Sequence, residues 1–268
     1  MNRLEFLYRM ESEFEHAITH HDFSLKCIPR SDSRQHILSQ KIVIKPETNL
    51  SEITDSFGNK VIYGQIKEPH HNFLAEIRGV AEIQDNPDQD FSQRAHPMYS
   101  YPSPLTIPGK HILAFYQQIQ PVKVMSDYEK TRHFMKCLFE IFTYEPGSTT
   151  ISTTAEAAML HRKGVCQDYA HILLSLCRLG GIAARYVVGI MLGEGYSHAW
   201  VEIFSGGLWY GFDPTNNLEV DENYIKISHG RDFSDCIVNR GVFRGGGGQS
   251  MTVKVQVKNN DNLEDNYD

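Results

Sequence analysis

Two short stretches of the sequence contain the side chains that a nucleophilic mechanism needs. In residues 164–177, GVCQDYAHILLSLC, Cys166 follows a glycine-valine pair and opens an apolar run. In residues 197–217, SHAWVEIFSGGLWYGFDPTNN, His198 and Asp213 fall on two segments that a glycine-rich turn separates. A cysteine becomes an effective nucleophile when a base takes its proton and a third group orients that base. We therefore predict Cys166 as the nucleophile, His198 as the general base and Asp213 as the group that orients the imidazole.

Cys166 is predicted to begin a buried helix. Apolar residues recur at helical spacing along this stretch, and these are Ala170, Leu173, Leu174 and Cys177. The other positions are also largely apolar, which is typical of a helix packed on all sides, and Gly180-Gly181 supplies its end. Free N–H groups and the helix dipole at the N-terminus favour the thiolate form of Cys166. A cysteine that only packs is the alternative, and we predict that role for Cys177.

The turn at 205–207, Ser-Gly-Gly, predicts a β-hairpin that fixes how His198 and Asp213 are related. A two-residue loop would pair Trp200 with Asp213, and a four-residue loop would pair His198 with Asp213 directly. Both registers put the two side chains on one face of the sheet, whereas a plain three-residue loop would put them on opposite faces. The alternatives are a histidine that only stabilises a strand and an aspartate that only belongs to a turn.

An attacked carbonyl also needs hydrogen-bond donors for its developing oxyanion. The backbone N–H of Cys166 at the helix start is one predicted donor. The candidates for a second donor are Tyr99, Tyr101 and Gln167.

The composition excludes several functional classes. The chain has 268 residues and a formal net charge of −7, which argues against general nucleic-acid binding. No apolar run is long enough for a bilayer, and the charged N-terminus lacks the apolar region of a signal peptide. We therefore expect a cytoplasmic protein that binds neither nucleic acid nor membrane. Five cysteines without a CxxC pair indicate reduced thiols, and no metal or cofactor is expected.

The pattern of the chain changes near residue 90. The first part alternates apolar and polar residues and predicts an N-terminal antiparallel β-sandwich domain in residues 1–90, with strands at 8–28, 36–45, 60–66 and 72–83. Residues 85–109 are rich in Pro, Asp and Ser and predict a linker or a long surface connection. Residues 91–258 are predicted to form the catalytic core, with helices at 111–120, 127–143 and 154–162 and strands at 183–191, 197–204, 208–212 and 251–258. The glycines at 245–248 predict a connector, and the acidic tail at 259–268 is predicted to be disordered.

Three segments resemble a known family. GVCQDYAHIL, YSHAWVEIF and WYGFDPTNN are similar, in that order, to the motif blocks of the transglutaminase-like superfamily, most of all its bacterial branch described as cysteine proteases. The resemblance implies a catalytic triad at Cys166, His198 and Asp213. Residues 54–59, TDSFGN, are similar to the N-terminal β domain of that branch. The implied fold is α+β, a β-sandwich followed by a papain-like, transglutaminase-like core of helices packed on an antiparallel sheet.

The expected activity is thiol-dependent acyl chemistry on a protein or peptide substrate, through a thioester on Cys166. If water resolves the thioester, the enzyme is a cysteine protease or amidase, which we favour. If an amine resolves it, the enzyme is a protein-glutamine transglutaminase. A non-catalytic protein-binding module on the same fold and a structural zinc protein are two further hypotheses. Substrate identity and oligomeric state stay open at this point.

Overall fold

The computed structural model describes residues 1–89, 95–120 and 124–260. The strands of the described residues are β1 (Asn2–Leu25), β2 (Gln35–Lys45), β3 (Leu50–Thr54), β4 (Lys60–Ile66), β5 (His70–Ile83), β6 (Asp88–Gln89), β7 (Thr143–Tyr144), β8 (Lys163–Gly164), β9 (Ala184–Met191), β10 (Gly193–Gly195), β11 (His198–Ser205), β12 (Leu208–Asp213), β13 (Leu218–Glu219), β14 (Tyr224–Gly230), β15 (Asn239–Gly245) and β16 (Gln249–Asn259). The α-helices are α1 (Lys110–Gln118), α2 (Asp127–Ile141), α3 (Ala155–His161) and α4 (Cys166–Leu179), and two short 3₁₀ helices cover Pro97–Ser100 and Phe233–Asp235. The molecule is therefore α+β, with two main antiparallel sheets.

The first sheet has eight strands and is organised around the long strand β1. The first half of β1 pairs with β5 and β16, and its second half pairs with β4 and β15. The ladder register shifts between the halves, where His20 has a positive φ of 51°. Such a bulge bends a strand and increases its twist, so the sheet curls on itself. Alternate residues of the first half point into the core, and these are Leu4, Phe6, Tyr8 and Met10.

The last two strands of the described chain return to this first sheet, because β15 and β16 both pair with β1. Residues 246–248 connect these two strands and fall within the predicted connector, while Gly245 is the last residue of β15. Asn259 is the last residue of β16, and most of the predicted disordered tail, residues 261–268, lies outside the described residues. The division into 1–90 and 91–258 stays a prediction, and three strands that begin in the second range, β10, β15 and β16, belong to the first sheet.

The second sheet has six strands and carries the predicted site. Its strand order is β13-β12-β11-β9-β14, with β6 from the predicted linker added to β12. Helix α4 packs on this sheet through one large apolar cluster that contains, among others, Leu173, Leu174, Val201, Ile203 and Phe212. At the β14 edge, apolar residues of the second sheet join the core of the first sheet instead, and these are Ile190, Ile225 and Ile227. The two sheets therefore share a hydrophobic core.

Helix α4 is buried along nearly its whole length, as its apolar pattern predicted. It begins at Cys166 and ends at Leu179, with Gly180 as its C-cap, and Gly181 then adopts a positive φ of 76° that glycine tolerates without strain. The predicted helices α1 to α3 are also present, within two residues of their predicted limits. None of the helices in the described ranges has the length and apolar character needed to cross a bilayer.

Strand β14 forms one edge of the second sheet, and side-chain amides of the first part of the chain satisfy its backbone. The amide of Gln35 donates to the carbonyl of Lys226 at 2.8 Å and accepts from the Lys226 N–H at 2.8 Å. The amide of Asn59 makes the same pair of bonds with His229, at 2.8 and 2.9 Å. These bonds replace the missing neighbour strand, because buried backbone groups need partners. The TDSFGN segment thus holds the edge of the second sheet.

Candidate active site

The turn before Cys166 is fixed by a carboxylate from its own helix. Val165 is the N-cap residue of α4, in an extended conformation, and its N–H donates to Asp168 Oδ2 at 2.8 Å. The N–H of Asp168 donates in turn to the Val165 carbonyl at 2.9 Å. Among the described residues, the N–H groups of Cys166 and Gln167 have no acceptor. The helix start therefore presents two free donors beside the Cys166 thiol.

The hairpin adopts the two-residue register. Ser205 pairs with Leu208 and Val201 pairs with Phe212, so the loop consists of Gly206 and Gly207 alone. Both glycines have a positive φ, 61° and 87°, as a type I′ turn requires. His198 and Asp213 are consequently diagonal neighbours on one face, which was the predicted outcome for this loop length.

His198 and Asp213 are hydrogen-bonded through Nε2 and Oδ2, at 2.8 Å. Asp213 has no exposed surface, and four further donors satisfy its two oxygens. Asn216 Nδ2 and the Tyr224 hydroxyl bind Oδ2, at 2.7 and 2.9 Å. The N–H groups of Thr215 and Asn216 bind Oδ1, at 3.0 and 3.3 Å. A carboxylate held by this many donors stays ionised and cannot rotate away from the imidazole.

The imidazole of His198 lies between Asp213 and Cys166. Burial lowers the pKa of His198, but the hydrogen bond with Asp213 and the neighbouring Cys166 outweigh burial and raise that pKa to about 10. Burial raises the pKa of Asp213, but the hydrogen bond and charge of His198 outweigh it and lower that pKa. Because Nε2 of His198 is bonded to Asp213, Nδ1 is the nitrogen left to exchange a proton with the Cys166 thiol. The geometry therefore favours a protonated imidazole beside the sulfur at neutral pH.

The other four cysteines have different surroundings. Burial raises the pKa of Cys27 and of Cys177 to about 12 each, and raises that of Cys236 as well. Cys137 is half-buried and lies 3.8 Å from Nε2 of His133, but that nitrogen bonds the Ile119 carbonyl rather than a carboxylate. Burial also raises the pKa of Cys137. Cys166 is thus the cysteine whose neighbouring imidazole is held by a carboxylate.

The three residues predicted as a second oxyanion donor do not direct their side chains to the site in a way that suits this role. The Gln167 side chain is adjacent to Cys166, but its amide donates to the Ile151 carbonyl at 3.2 Å. Tyr99 is buried and packs edge-on against Trp209, with ring centroids 5.4 Å apart. Tyr101 is 67% exposed. No hydrogen bond or ring contact among the described residues joins either tyrosine to Cys166 or His198, so the free N–H of Gln167 is the better placed donor.

Three residues that contribute to the site were not predicted from the sequence. Asn216 follows Asp213 by three residues, the spacing at which an aspartate folds back on the next turn, so a signal for it existed. Tyr224 reaches Asp213 from β14, a strand that was not predicted. Asp168 was given no role in the site, and its bond with the Thr149 hydroxyl depends on a separate loop.

A metal centre would need several ligand side chains in one place. Across residues 1–89, 95–120 and 124–260, no three side chains of His, Cys, Asp or Glu are grouped as metal ligands would be.

Comparison with known proteins identifies the family. The model of the transglutaminase-like superfamily core matches residues 117–214, which contain Cys166, His198 and Asp213. The model of the bacterial transglutaminase-like N-terminal region matches residues 4–82. The chain belongs to the transglutaminase-like superfamily, with the N-terminal region of its bacterial members.

Individual relatives cover most of the chain. Uncharacterized proteins from Mycobacterium tuberculosis and Mycobacterium leprae are 27% and 26% identical, over 90% and 85% of this chain and 87% and 88% of their own lengths. A crystal structure from Cytophaga hutchinsonii, described as a "Putative Cysteine Protease", has a TM-score of 0.81 at 22% identity and covers 98% of this chain and 92% of its own. This similarity establishes a shared transglutaminase-like fold.

Proposed function

We propose that the protein is a thiol-dependent acyl-transfer enzyme with a Cys166–His198–Asp213 triad, which hydrolyses peptide or amide bonds as a cysteine protease or amidase. The observation that carries the proposal is the position of His198, which is bonded at 2.8 Å to a buried carboxylate and has a pKa that the neighbouring Cys166 helps to raise. Membership of the transglutaminase-like superfamily supports it. The papain-like core, the N-terminal β-sandwich and the cytoplasmic location belong to the same proposal.

The acylation step follows from the geometry. The Cys166 thiolate attacks the substrate carbonyl carbon, and the carbonyl π electrons move to its oxygen. The N–H groups of Cys166 and Gln167 donate to this oxyanion. His198 then transfers its Nδ1 proton to the leaving amine, the carbon–nitrogen bond breaks, and a thioester remains on the sulfur. Asp213 keeps the imidazole oriented and stabilises its charged form throughout.

The deacylation step decides the reaction class. In hydrolysis, neutral His198 takes a proton from water, the oxygen attacks the thioester, and the carboxylic acid leaves while the sulfur is released as thiolate. In transamidation, a primary amine takes the place of water, and the product is a new amide. The free N–H groups at the helix start can donate to the oxyanion in hydrolysis and in transamidation alike.

A peptide library incubated with the enzyme, with and without a primary amine, tests the proposal by mass spectrometry. We expect cleaved peptides with new carboxyl termini, and no cleavage by Cys166→Ala. The cysteine control is Cys137→Ser, which should cleave like the wild type. Amine incorporation without cleavage would instead identify a transglutaminase, and the absence of both products at every pH tried would favour the non-catalytic binding module.

A further inference from the structure

Asp168, two residues after Cys166, is a buried carboxylate that the proposed chemistry does not use. Its side chain is only 1% exposed, and Oδ2 accepts from the Val165 N–H at 2.8 Å and from the Thr149 hydroxyl at 2.7 Å. Its other oxygen, Oδ1, is buried and has no hydrogen-bond partner among the described residues. Burying a carboxylate with one unpaired oxygen is unfavourable, and burial raises the pKa of Asp168.

The carboxylate lies directly against the turn before Cys166. A Cβ atom placed on Gly164 would come within 2.5 Å of Asp168 Oδ2 and 2.7 Å of its Cβ. Any side chain at position 164 would therefore push the carboxylate away from the Val165 N–H. This contact explains the glycine of the GVC segment by close packing, since Gly164 does not have a positive φ.

Thr149 belongs to a loop, residues 145–153, that meets the turn on both sides of the cysteine. At its start, the Glu145 N–H donates to the Gly164 carbonyl at 2.9 Å. Near its end, the Ile151 carbonyl accepts from the Gln167 side chain at 3.2 Å. The bond from the Thr149 hydroxyl to Asp168 is a third contact, made by a residue between Glu145 and Ile151 in the loop. The loop and the helix start are thus held as one unit around Cys166.

We infer that Asp168 is a positioning residue that acts through Val165, holding the helix start so that the N–H groups of Cys166 and Gln167 face the attacked carbonyl. Thr149 holds the carboxylate in turn. This inference rests on the proposed acyl-transfer function. By binding the Val165 N–H, Asp168 fixes the N-cap from which the two free donors follow. The role needs an acceptor oxygen rather than a charge, because a negative charge near the sulfur disfavours the thiolate.

The test compares four variants, Asp168→Ala, Asp168→Asn, Thr149→Val and Thr149→Ser, with the wild-type enzyme. Asparagine keeps an acceptor for Val165, and serine keeps the hydroxyl. We expect kcat on a cleaved peptide to fall about 100-fold in Asp168→Ala and about 10-fold in Thr149→Val, with KM within about twofold. Asp168→Asn and Thr149→Ser should stay within about threefold of wild-type kcat. Circular dichroism and thermal unfolding confirm that each variant is folded.

Two further measurements separate positioning from folding and from thiol ionisation. A peptide aldehyde forms a thiohemiacetal on the cysteine, whose oxygen occupies the oxyanion position, so its affinity should fall with kcat in Asp168→Ala but not in Asp168→Asn. Alkylation of Cys166 by iodoacetamide needs no oxyanion donor and should stay within about threefold of wild type in all four folded variants.

Failure of the positioning role and failure of the proposed function give different results. If the wild type cleaves peptides and folded Asp168→Ala does so with unchanged kcat and aldehyde affinity, the positioning role is wrong and the proposed function stands. Equal losses in Asp168→Ala and Asp168→Asn would also overturn it, because the charge rather than the acceptor would then matter. If the wild type neither cleaves peptides nor binds the aldehyde, the proposed function itself fails, and the inference fails with it.

Discussion

Replacing His198 by alanine is expected to lower kcat/KM for peptide cleavage by about 10³- to 10⁴-fold at neutral pH. The variant loses the proton donor for the leaving amine and the positive charge that favours the thiolate. It also leaves Asp213 as a buried carboxylate without the imidazole that it binds at 2.8 Å. The measurement is steady-state cleavage of a peptide selected from the library, with thermal unfolding to show that the variant is folded.

A matched histidine variant controls for this result. His36 is an exposed histidine on β2, in the first sheet, so His36→Ala should retain wild-type activity within about twofold. If folded His198→Ala cleaves the peptide within tenfold of the wild type, His198 cannot be the base, and the triad is rejected.

Replacing Lys226 by methionine is expected to reduce the free energy of unfolding by about 3–5 kcal/mol. The Lys226 ammonium lies 2.9 Å from Asp32 and 2.7 Å from Asp88, in a buried cluster. Arg185 and Glu202 complete that cluster. Three carboxylates therefore share two cations, and removing one cation leaves buried negative charges unpaired.

The direction in which the pKa of Asp88 is shifted supports this expectation. Burial raises the pKa of Asp88, but the charges of Lys226 and Arg185 outweigh burial and lower that pKa. Without Lys226, burial is opposed by one cation instead of two. Urea unfolding at neutral pH measures the effect.

A partly exposed lysine on the surface provides the control for this measurement. Lys60 pairs with Glu52 at 3.1 Å on the surface, and Lys60→Met should cost less than about 1 kcal/mol. Equal stability losses for Lys226→Met and Lys60→Met would mean that the buried cluster is not stabilised by its charge balance.

Local patterns were sufficient to predict the two elements that carry Cys166, His198 and Asp213. Helix α4 has a strong apolar pattern between clear start and stop signals, and it begins at the predicted residue. The Ser205-Gly206-Gly207 signal predicted the β11–β12 hairpin but left its loop length open, and the structure has the two-residue loop. Both signals lie within short continuous segments of the chain, so the sequence alone displays them.

Strand β14 could not be predicted, because its sequence, YIKISHG, places Lys226 and His229 among apolar residues. A buried lysine has no local signal, since its partners are Asp32, Asp88 and Glu202 in other parts of the chain. Because β14 was not predicted, the role of Tyr224, the β14 residue that binds Asp213, was not predicted either.

The first part of the chain contributes to the site through β14. Gln35 and Asn59 hold the backbone of this strand, and the strand positions the Tyr224 hydroxyl 2.9 Å from Asp213. The N-terminal sheet is therefore part of the scaffold of the site. No pattern in the sequence could predict this arrangement, because it depends on side chains that meet only in the folded molecule.

Selective alkylation of Cys166 is the most direct test of the central claim that the charged imidazole of His198 makes this cysteine the nucleophile. Iodoacetamide labelling, quantified for each cysteine by mass spectrometry between about pH 5 and pH 9, compares Cys166 with Cys137, which also neighbours a histidine. We predict that Cys166 reacts about 100-fold faster than Cys137 at pH 6 to 7, and that His198→Ala removes the difference. Equal rates for the two cysteines in the wild type, both rising only above about pH 8, would contradict the claim.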